Sequence, residues 1–336
     1  MPNTVALDLG SYTLKAVMGH GGRQPQILKT AEAFNPLGYV IGNDENTIQT
    51  LSQVIENFLH DHNLAKNDLR LALPENLVST KVISIPALSD SELASAISWQ
   101  AEQHIPIPLE ELSLEYQVLQ RPTRQDRNGQ MKVLLIGTRK TVVDRYLEAF
   151  YRLGIEPTLL ETQTVSVYRS LGFTAQDPAT LVAHIGAATT DLAVVQGGEL
   201  AFVYSHPSGG QVLSRTIEQG LQLDAKQAEQ YKREFGLLPD QFEGKLRDVL
   251  APAVRALANE MLKAIQFYLT QNPQDGVKRI LLSGGTAQLP GLVQVLAEQL
   301  NMEVLIASPF ALAKGQIPEV NHPAFSVCMG LLTREL

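Results

Sequence analysis

The chain of 336 residues has a single cysteine, Cys328, so no disulfide can close within it; such cysteine usage fits a reducing compartment. No apolar run reaches the roughly 20 residues that a helix needs to cross a bilayer. The opening MPNTVALDLG has no basic stretch leading into an apolar one, so no secretory signal is expected. Positive charge is scarce. There are 27 Lys and Arg against 35 Asp and Glu, a formal net charge of −8. That balance disfavours nucleic acid or an anionic lipid surface as the main partner. Charged residues make up only 18% of the chain and hydrophobic ones 44%, which is ordinary for a globular protein with enough length for two domains. The expectation is a cytoplasmic protein that does not insert into a membrane.

What the chain does have is one segment written twice. Residues 6–22 read ALDLGSYTLKAVMGHGG and residues 182–198 read VAHIGAATTDLAVVQGG, ungapped and 176 positions apart (182 − 6). Gly10 matches Gly186, Thr13 matches Thr189, and Gly21-Gly22 match Gly197-Gly198. Each copy predicts a strand, a turn of small and hydroxyl residues and a second strand, that is, a β-hairpin with a polar tip. Repetition in two halves implies a pseudo-symmetric molecule whose tips face one another across a ligand. Small residues let backbone N–H groups converge on an anion. Ser11, Thr13, Thr189 and Thr190 add hydroxyl donors, and Lys15 adds a point charge. Asp8 and Asp191 would repel a bare phosphate and fit only with a divalent cation between, as oxygen-seeking Mg²⁺ provides. The pattern therefore favours a metal–nucleotide.

Between and after the hairpins the chain alternates helix and strand. Ile48, Leu51, Ile55, Phe58 and Leu59 predict a helix over 46–62, and Leu69–Leu73 a strand stopped by Pro74. Residues 75–157 have a different texture, read as β-α-β-β-α. In it, Ser89 and Glu92 form a capping box, Pro106 and Pro108 end the helix near His104, and RPTRQDRNGQ is a polar loop. In the second half Asp224 begins a helix that Gly236 ends. A following helix is predicted with Pro252 in its first turn. An apolar helix from about Ala324 is expected to pack on the first half. Four units result: 1–74 with 158–179 and 317–336; an inserted block, 75–157; 180–211 with 276–316; and 212–275.

A third turn, Ser283-Gly284-Gly285-Thr286, ends a strand before a helix and suits the approach of a flat ring to the backbone. Taken in order, the three turns resemble the phosphate-1, phosphate-2 and adenosine motifs of the actin/Hsp70/sugar-kinase superfamily. The resemblance implies an α/β, actin-like (ribonuclease H-like) two-domain ATPase fold with ATP and Mg²⁺ as ligands. By that resemblance Asp8, Gly10, Ser11, Tyr12, Thr13 and Lys15 face the phosphates from one side. Gly186, Ala187, Thr189 and Thr190 face them from the other, and Gly284, Gly285 and Thr286 line the adenosine. Gly209-Gly210 with the helix carrying Glu229 and Lys232 is similar to the ribose-contacting part of FtsA-like members. Asp8 and Asp191 are the metal candidates. His184 stands where the superfamily usually has Asp, which implies slow or absent hydrolysis. Glu161 and Gln163, just before phosphate-2, are the candidates for orienting water, and neither is assigned as catalytic.

The inserted block resembles the 1C subdomain of the FtsA and PilM families, and Ile105-Pro106-Ile107-Pro108 and Ala307-Ser308-Pro309-Phe310 are similar to PilM-type stretches. That resemblance implies a scaffold of type IV pilus assembly, at most a weak ATPase. It would capture the N-terminal cytoplasmic tail of a PilN-like inner-membrane protein in a groove lined by Trp99, Ile105, Pro106 and Leu109, meet other pilus assembly proteins, and reach the membrane only through a protein partner. Homo-oligomers are compatible with it. An FtsA-like filament former and a sugar-kinase-like enzyme are the alternatives; no amphipathic anchor is expected after Leu336, and no sugar-site Asp is evident.

Overall fold

The structure is a computed structural model, described over residues 3–38, 45–122, 129–239, 241–274 and 276–335. In the first half the strands are β1 (Thr4–Leu9), β2 (Thr13–His20), β3 (Gln26–Phe34) and β4 (Asp68–Leu73), with α1 (Glu45–Asp61) before β4. The block that follows holds β5 (Val78–Pro86), α2 (Asp90–His104), β6 (Leu112–Gln120), β7 (Gln130–Arg139) and α3 (Lys140–Tyr151). Then come β8 (Leu159–Thr162) and α4 (Gln163–Ser170). The second half has β9 (Thr180–Ile185), β10 (Thr190–Gln196), β11 (Glu199–His206), α5 (Gly210–Leu221), α6 (Ala225–Glu234) and α7 (Lys245–Gln271). It closes with β12 (Arg279–Ser283), α8 (Leu292–Leu300), β13 (Glu303–Ile306), β14 (Lys314–Gly315) and α9 (Ser326–Leu332).

The repeated hairpin seeds two sheets of one topology. The first runs β14-β3-β2-β1-β4-β8 and the second β11-β10-β9-β12-β13. In both, the hairpin strands pair antiparallel and the next two strands add in parallel. Even the irregularity is copied. The register of β2 on β3 shifts between Met18 and Gly19, and that of β10 on β11 between Val194 and Val195, again 176 residues on (194 − 18). A bulge adds twist to the edge of a ladder, so both sheets curve alike.

Each sheet buries its outer face under its own helices. Leu181, Leu192 and Val194 pack on α5 and α7 through Leu213, Val254 and Met261, and Val5, Leu7 and Leu69 pack on Ile55 and Phe58 of α1. The inner faces share a core. Ala6, Val17 and Ala72 from the first sheet and Val182, Ala193 and Val195 from the second meet around α4 and α9. These two helices touch backbone to backbone: a Cβ on Gly330 would collide with the Ser166 carbonyl. The expected packing of the apolar tail on the first half is realised in α9.

Within the inserted block, Ser89 and Glu92 form the anticipated capping box, with Glu92 Oε2 accepting from the Ser89 N–H at 2.8 Å. The three-stranded sheet β5-β7-β6 and α2 enclose Ile83, Leu93, Ile97, Ile105 and Leu135. Two sequence expectations need correction. Although read with this block, α3 sends Ala149 and Phe150 into the first domain's core beside Ile55 and Phe58; its apolar face covers the sheet next to α1. And α7 does not begin at Pro252. It starts two turns earlier, with Leu246 and Leu250 buried on the same stripe as Val254. Proline is tolerated there because one lost backbone bond is offset by the burial of a 27-residue amphipathic helix. Of the polar loop, residues 123–128 lie outside the described residues.

Candidate functional site

The two hairpin tips face one another across a cavity of about 270 Å³. From the first half it is lined by Asp8, Gly10, Ser11, Tyr12, Thr13 and Lys15, and from the second by His184, Gly186, Ala187 and Thr189. Gly284, Gly285 and Thr286 close one end, with Glu229, Lys232 and Arg233 of α6 beside them.

Each turn is braced from behind. Asn35 holds the first: its N–H donates to the Tyr12 carbonyl at 2.9 Å and its Nδ2 to the Gly10 carbonyl at 2.8 Å. The second is held by Gly210 N–H and Thr286 Oγ1 donating to the Gly186 carbonyl at 2.9 and 3.2 Å, and by Gln211 N–H donating to Ala187 at 2.8 Å. Gly209 and Gly210 thus act behind the turn rather than on the cavity wall. A Cβ on Gly209 would come within 2.6 Å of the Gly186 carbonyl oxygen, closer than real Cβ atoms approach. Gly284 sits at φ +85° against the Ile185 backbone, a conformation that glycine takes at no steric cost.

The electrostatics divide by wall. Lys15 Nζ lies 3.6 Å from Asp8 Oδ2, and Gln163 Nε2 donates to Asp8 Oδ1 at 2.8 Å. Opposite them, burial depresses His184 to a pKa of about 4, outweighing the nearby Asp8, so the ring is neutral. Its Nδ1 is 3.0 Å from Ser283 Oγ, which is 2.9 Å from Ser326 Oγ, itself 3.0 Å from the Pro323 carbonyl. This hydroxyl chain ties the Nδ1 side of the ring to the Pro323 carbonyl. On α6, Lys232 Nζ donates to Glu229 Oε2 at 2.6 Å, to Ser214 Oγ at 2.9 Å and to the Gly210 carbonyl at 3.2 Å. Burial pushes the Lys232 ammonium below its usual range despite Glu229. Burial also disfavours ionised Glu229, but Lys232 and Arg233 outweigh it and hold the carboxyl low.

Besides Gly209 and Gly210, three expected site residues are not on the wall. Thr190 is fully buried and donates to the Ser208 carbonyl at 2.7 Å. Asp191 lies behind His184, accepting from Ser205 at 2.5 Å and Thr189 at 3.4 Å, beside a separate cavity of about 10 Å³. Burial, reinforced by Glu75, raises its pKa to about 7. Glu161 is tied to Arg169 and Ser166 on its own segment, and only Gln163 of that pair reaches the cavity. The change of element explains the pair: Glu161 still lies in β8, whereas Gln163 opens α4, so the two do not share the direction that residues two apart have within a strand. Of the expected peptide-groove residues, Trp99 (58% exposed), Pro106 and Leu109 reach the surface, whereas Ile105 is core, packed on Gly137. Sequence reasoning missed Asn35, which the Asn-Pro turn signal after β3 marks, and Arg233, four residues beyond Glu229 on one helix face.

The donors bear on the metal. Among the described residues no three His, Cys, Asp or Glu gather to hold an ion by themselves. Mg²⁺ commonly binds through one or two carboxylates with phosphates and waters. Asp8 fits that pattern; Asp191 does not reach.

Two matched hairpins on two sheets of one topology, with a cavity between the tips, define an actin-like protein. Comparison with known proteins agrees. The structure superposes with TM-score 0.84 on a chain from a solved PilM–PilN type IV pilus biogenesis complex, 24% identical, covering 98% of this chain and 97% of that one. It superposes with TM-score 0.54 on MreB5 of Spiroplasma citri bound to AMPPNP, 12% identical, covering 98% and 95%. Among curated relatives, FtsA of Pseudomonas aeruginosa is 22% identical over 98% of this chain and 88% of its own length, while the match to FtsA of Neisseria meningitidis, at 23%, spans only 53% of that protein. The family model for type IV pilus assembly protein PilM matches residues 6–334. The chain belongs to the PilM family. No helix among the described residues is long and apolar enough to cross a membrane.

Proposed function

We propose that this chain is a nucleotide-binding scaffold of type IV pilus assembly. It holds ATP between the hairpin tips, with the phosphates over the backbone of residues 10–13 and 186–189, Lys15 as their charge partner, and the adenosine against Gly284–Thr286 and α6. Asp8 holds Mg²⁺ together with the phosphates; the ion neutralises phosphate charge. The observation that carries this reading is the pair of braced, facing turns of small and hydroxyl residues with the Lys15 ammonium on the cavity they line, a setting that suits an anion.

The two walls together disfavour turnover. Attack on a γ-phosphate needs a group that orients water. Gln163 is an amide already donating to Asp8, Asp8 is engaged by Lys15, and His184 is a neutral, weakly basic imidazole. ATP therefore acts as a clamp that stabilises the closed molecule by mass action. The partner is the N-terminal cytoplasmic tail of a PilN-like membrane protein, captured at the inserted block where Trp99 and Leu109 are exposed, so the chain sits at the inner membrane through that protein. Its likeness in fold to a chain of a PilM–PilN complex supports this partner.

Calorimetric titration with the synthetic PilN-like tail, with and without Mg-ATP, tests the reading. Saturable peptide binding, weakened by Trp99→Ala, is the expected result. Tight ATP binding with no peptide binding in either state would overturn the scaffold role and leave an FtsA-like filament former.

A further inference from the structure

The mouth of the cleft carries a contact that the nucleotide reading does not use. Tyr12 stands at the tip of the first turn, and Arg233 projects from α6 on the other side. The Arg233 Cζ lies 5.5 Å from the centre of the Tyr12 ring. Its Nε donates to Glu229 Oε1 at 2.8 Å, which aims the guanidinium. On the domain's own side the ring meets Phe34 edge to face, with centroids 5.4 Å apart and planes at 80°. The Tyr12 carbonyl is pinned by Asn35. The ring is thus held on one side by its own domain and met on the other by a cation from the facing one.

The position matters as much as the contact. Tyr12 and Arg233 line the enclosed cavity and also an open groove of about 520 Å³ outside it, between β3 and α6. They form part of the wall between the two spaces, and a ligand entering by that groove passes between them. A guanidinium over a ring face attracts through the ring's quadrupole, more strongly where water is partly excluded. Burial, and then Glu229, push the Tyr12 phenol pKa up, so the ring stays neutral and the contact does not become an ion pair.

We propose that Tyr12 and Arg233 are positioning residues that clamp the cleft shut across its mouth and set the rate at which nucleotide is exchanged. This rests on the nucleotide reading above. When the clamp parts, α6 moves off the first hairpin and the groove opens onto the cavity. The bonds involved are non-covalent, and Glu229 holds Arg233 in place for reclosure.

The test uses the full chain and has two readouts. The first is the dissociation rate of a fluorescent ATP analogue with Mg²⁺, chased by excess ATP. Arg233→Ala and Tyr12→Ala should each speed release by roughly three- to tenfold, the factor a partly desolvated cation–π contact carries. Tyr12→Phe, which keeps the ring, should restore most of the loss, and the double alanine variant should release no faster than either single one. Additive effects, unchanged release in Arg233→Ala, or a Tyr12→Phe as fast as Tyr12→Ala would overturn the clamp. The second readout is hydrogen exchange of the nucleotide-free protein. Exchange over residues 10–13 and α6 should rise in both alanine variants and not in Tyr12→Phe; no rise would overturn the clamp whatever the ligand. A parent that binds no nucleotide but shows this exchange pattern would sink the nucleotide reading and leave the clamp standing.

Discussion

The two hairpins share a backbone and differ in their charges. Asp8 pairs across its hairpin with Lys15, and the aligned residues of the second copy, His184 and Asp191, pair in the same register. In the first hairpin the carboxylate and the ammonium both line the cavity. In the second, a neutral imidazole lines it and the carboxylate is withdrawn behind, where burial keeps it protonated to about pH 7. Duplication preserved what the turn needs, namely small residues, a bulge and a brace. It released what the chemistry needs, so one wall became charged and the other neutral. A symmetric frame here carries an asymmetric site.

Removing the charged wall should have the largest effect. Lys15→Ala deletes a cation at the phosphate position, and charge-assisted hydrogen bonds are worth about 1.5–3 kcal/mol, so nucleotide affinity should fall by roughly 10- to 100-fold in a fluorescence titration. Unchanged affinity would place the phosphates elsewhere. Next comes the brace. Gly209→Ala forces a Cβ against the Gly186 carbonyl; it should distort the second turn alone, costing about 1–3 kcal/mol by thermal melting as overpacking does, with Arg233 and Tyr12 exchange unaffected.

Restoring symmetry is a gentler break. His184→Asp puts a carboxylate opposite Asp8. It should make nucleotide binding depend more steeply on Mg²⁺ and raise turnover by about an order of magnitude or more, as a gained general base does. A variant that turns over no faster would show that His184 is not what slows hydrolysis. The smallest effect concerns the withdrawn carboxyl. Asp191 has a folded pKa of about 7 against an unfolded value near 4. The native state then binds more protons, so this group's contribution is full below about pH 4 and is lost as pH rises through 7. Asp191→Asn should therefore melt higher than the parent at pH 8, with the difference shrinking steadily as pH falls and little of it left at pH 4. Equal gains at both values would rule out titration as the cause.

The duplicated hairpin was legible because its signal is local: glycines and hydroxyls in a fixed spacing. So were the capping box at Ser89 and the strand–Gly-Gly turn at Ser283. What escaped was decided by three-dimensional neighbours. Thr190 and Asp191 look like ligands in a polar turn, yet Thr190 donates to the Ser208 carbonyl and Asp191 accepts from Ser205, partners that only the fold brings to them. Ile105 sits in an exposed-looking Ile-Pro-Ile-Pro run but faces Gly137, where the missing side chain makes room. Pro252 reads as a helix start because local chemistry forbids proline elsewhere, and the buried stripe of α7 outweighs that. Arg233 and Tyr12 are 221 residues apart (233 − 12), and no local pattern links them.

Arg70 of β4 donates through Nη1 to the carbonyls of Leu331 and Arg334, 261 and 264 residues further on. Together with α9 it means that strands β1 to β4 of the first sheet are synthesised well before the residues that finish their inner face. These strands leave the ribosome with one apolar side uncovered, and loop closure over such separations is slow. During synthesis the first half is thus a waiting intermediate that is prone to association, and a fragment of it cut before α9 should expose that face rather than fold as an independent domain.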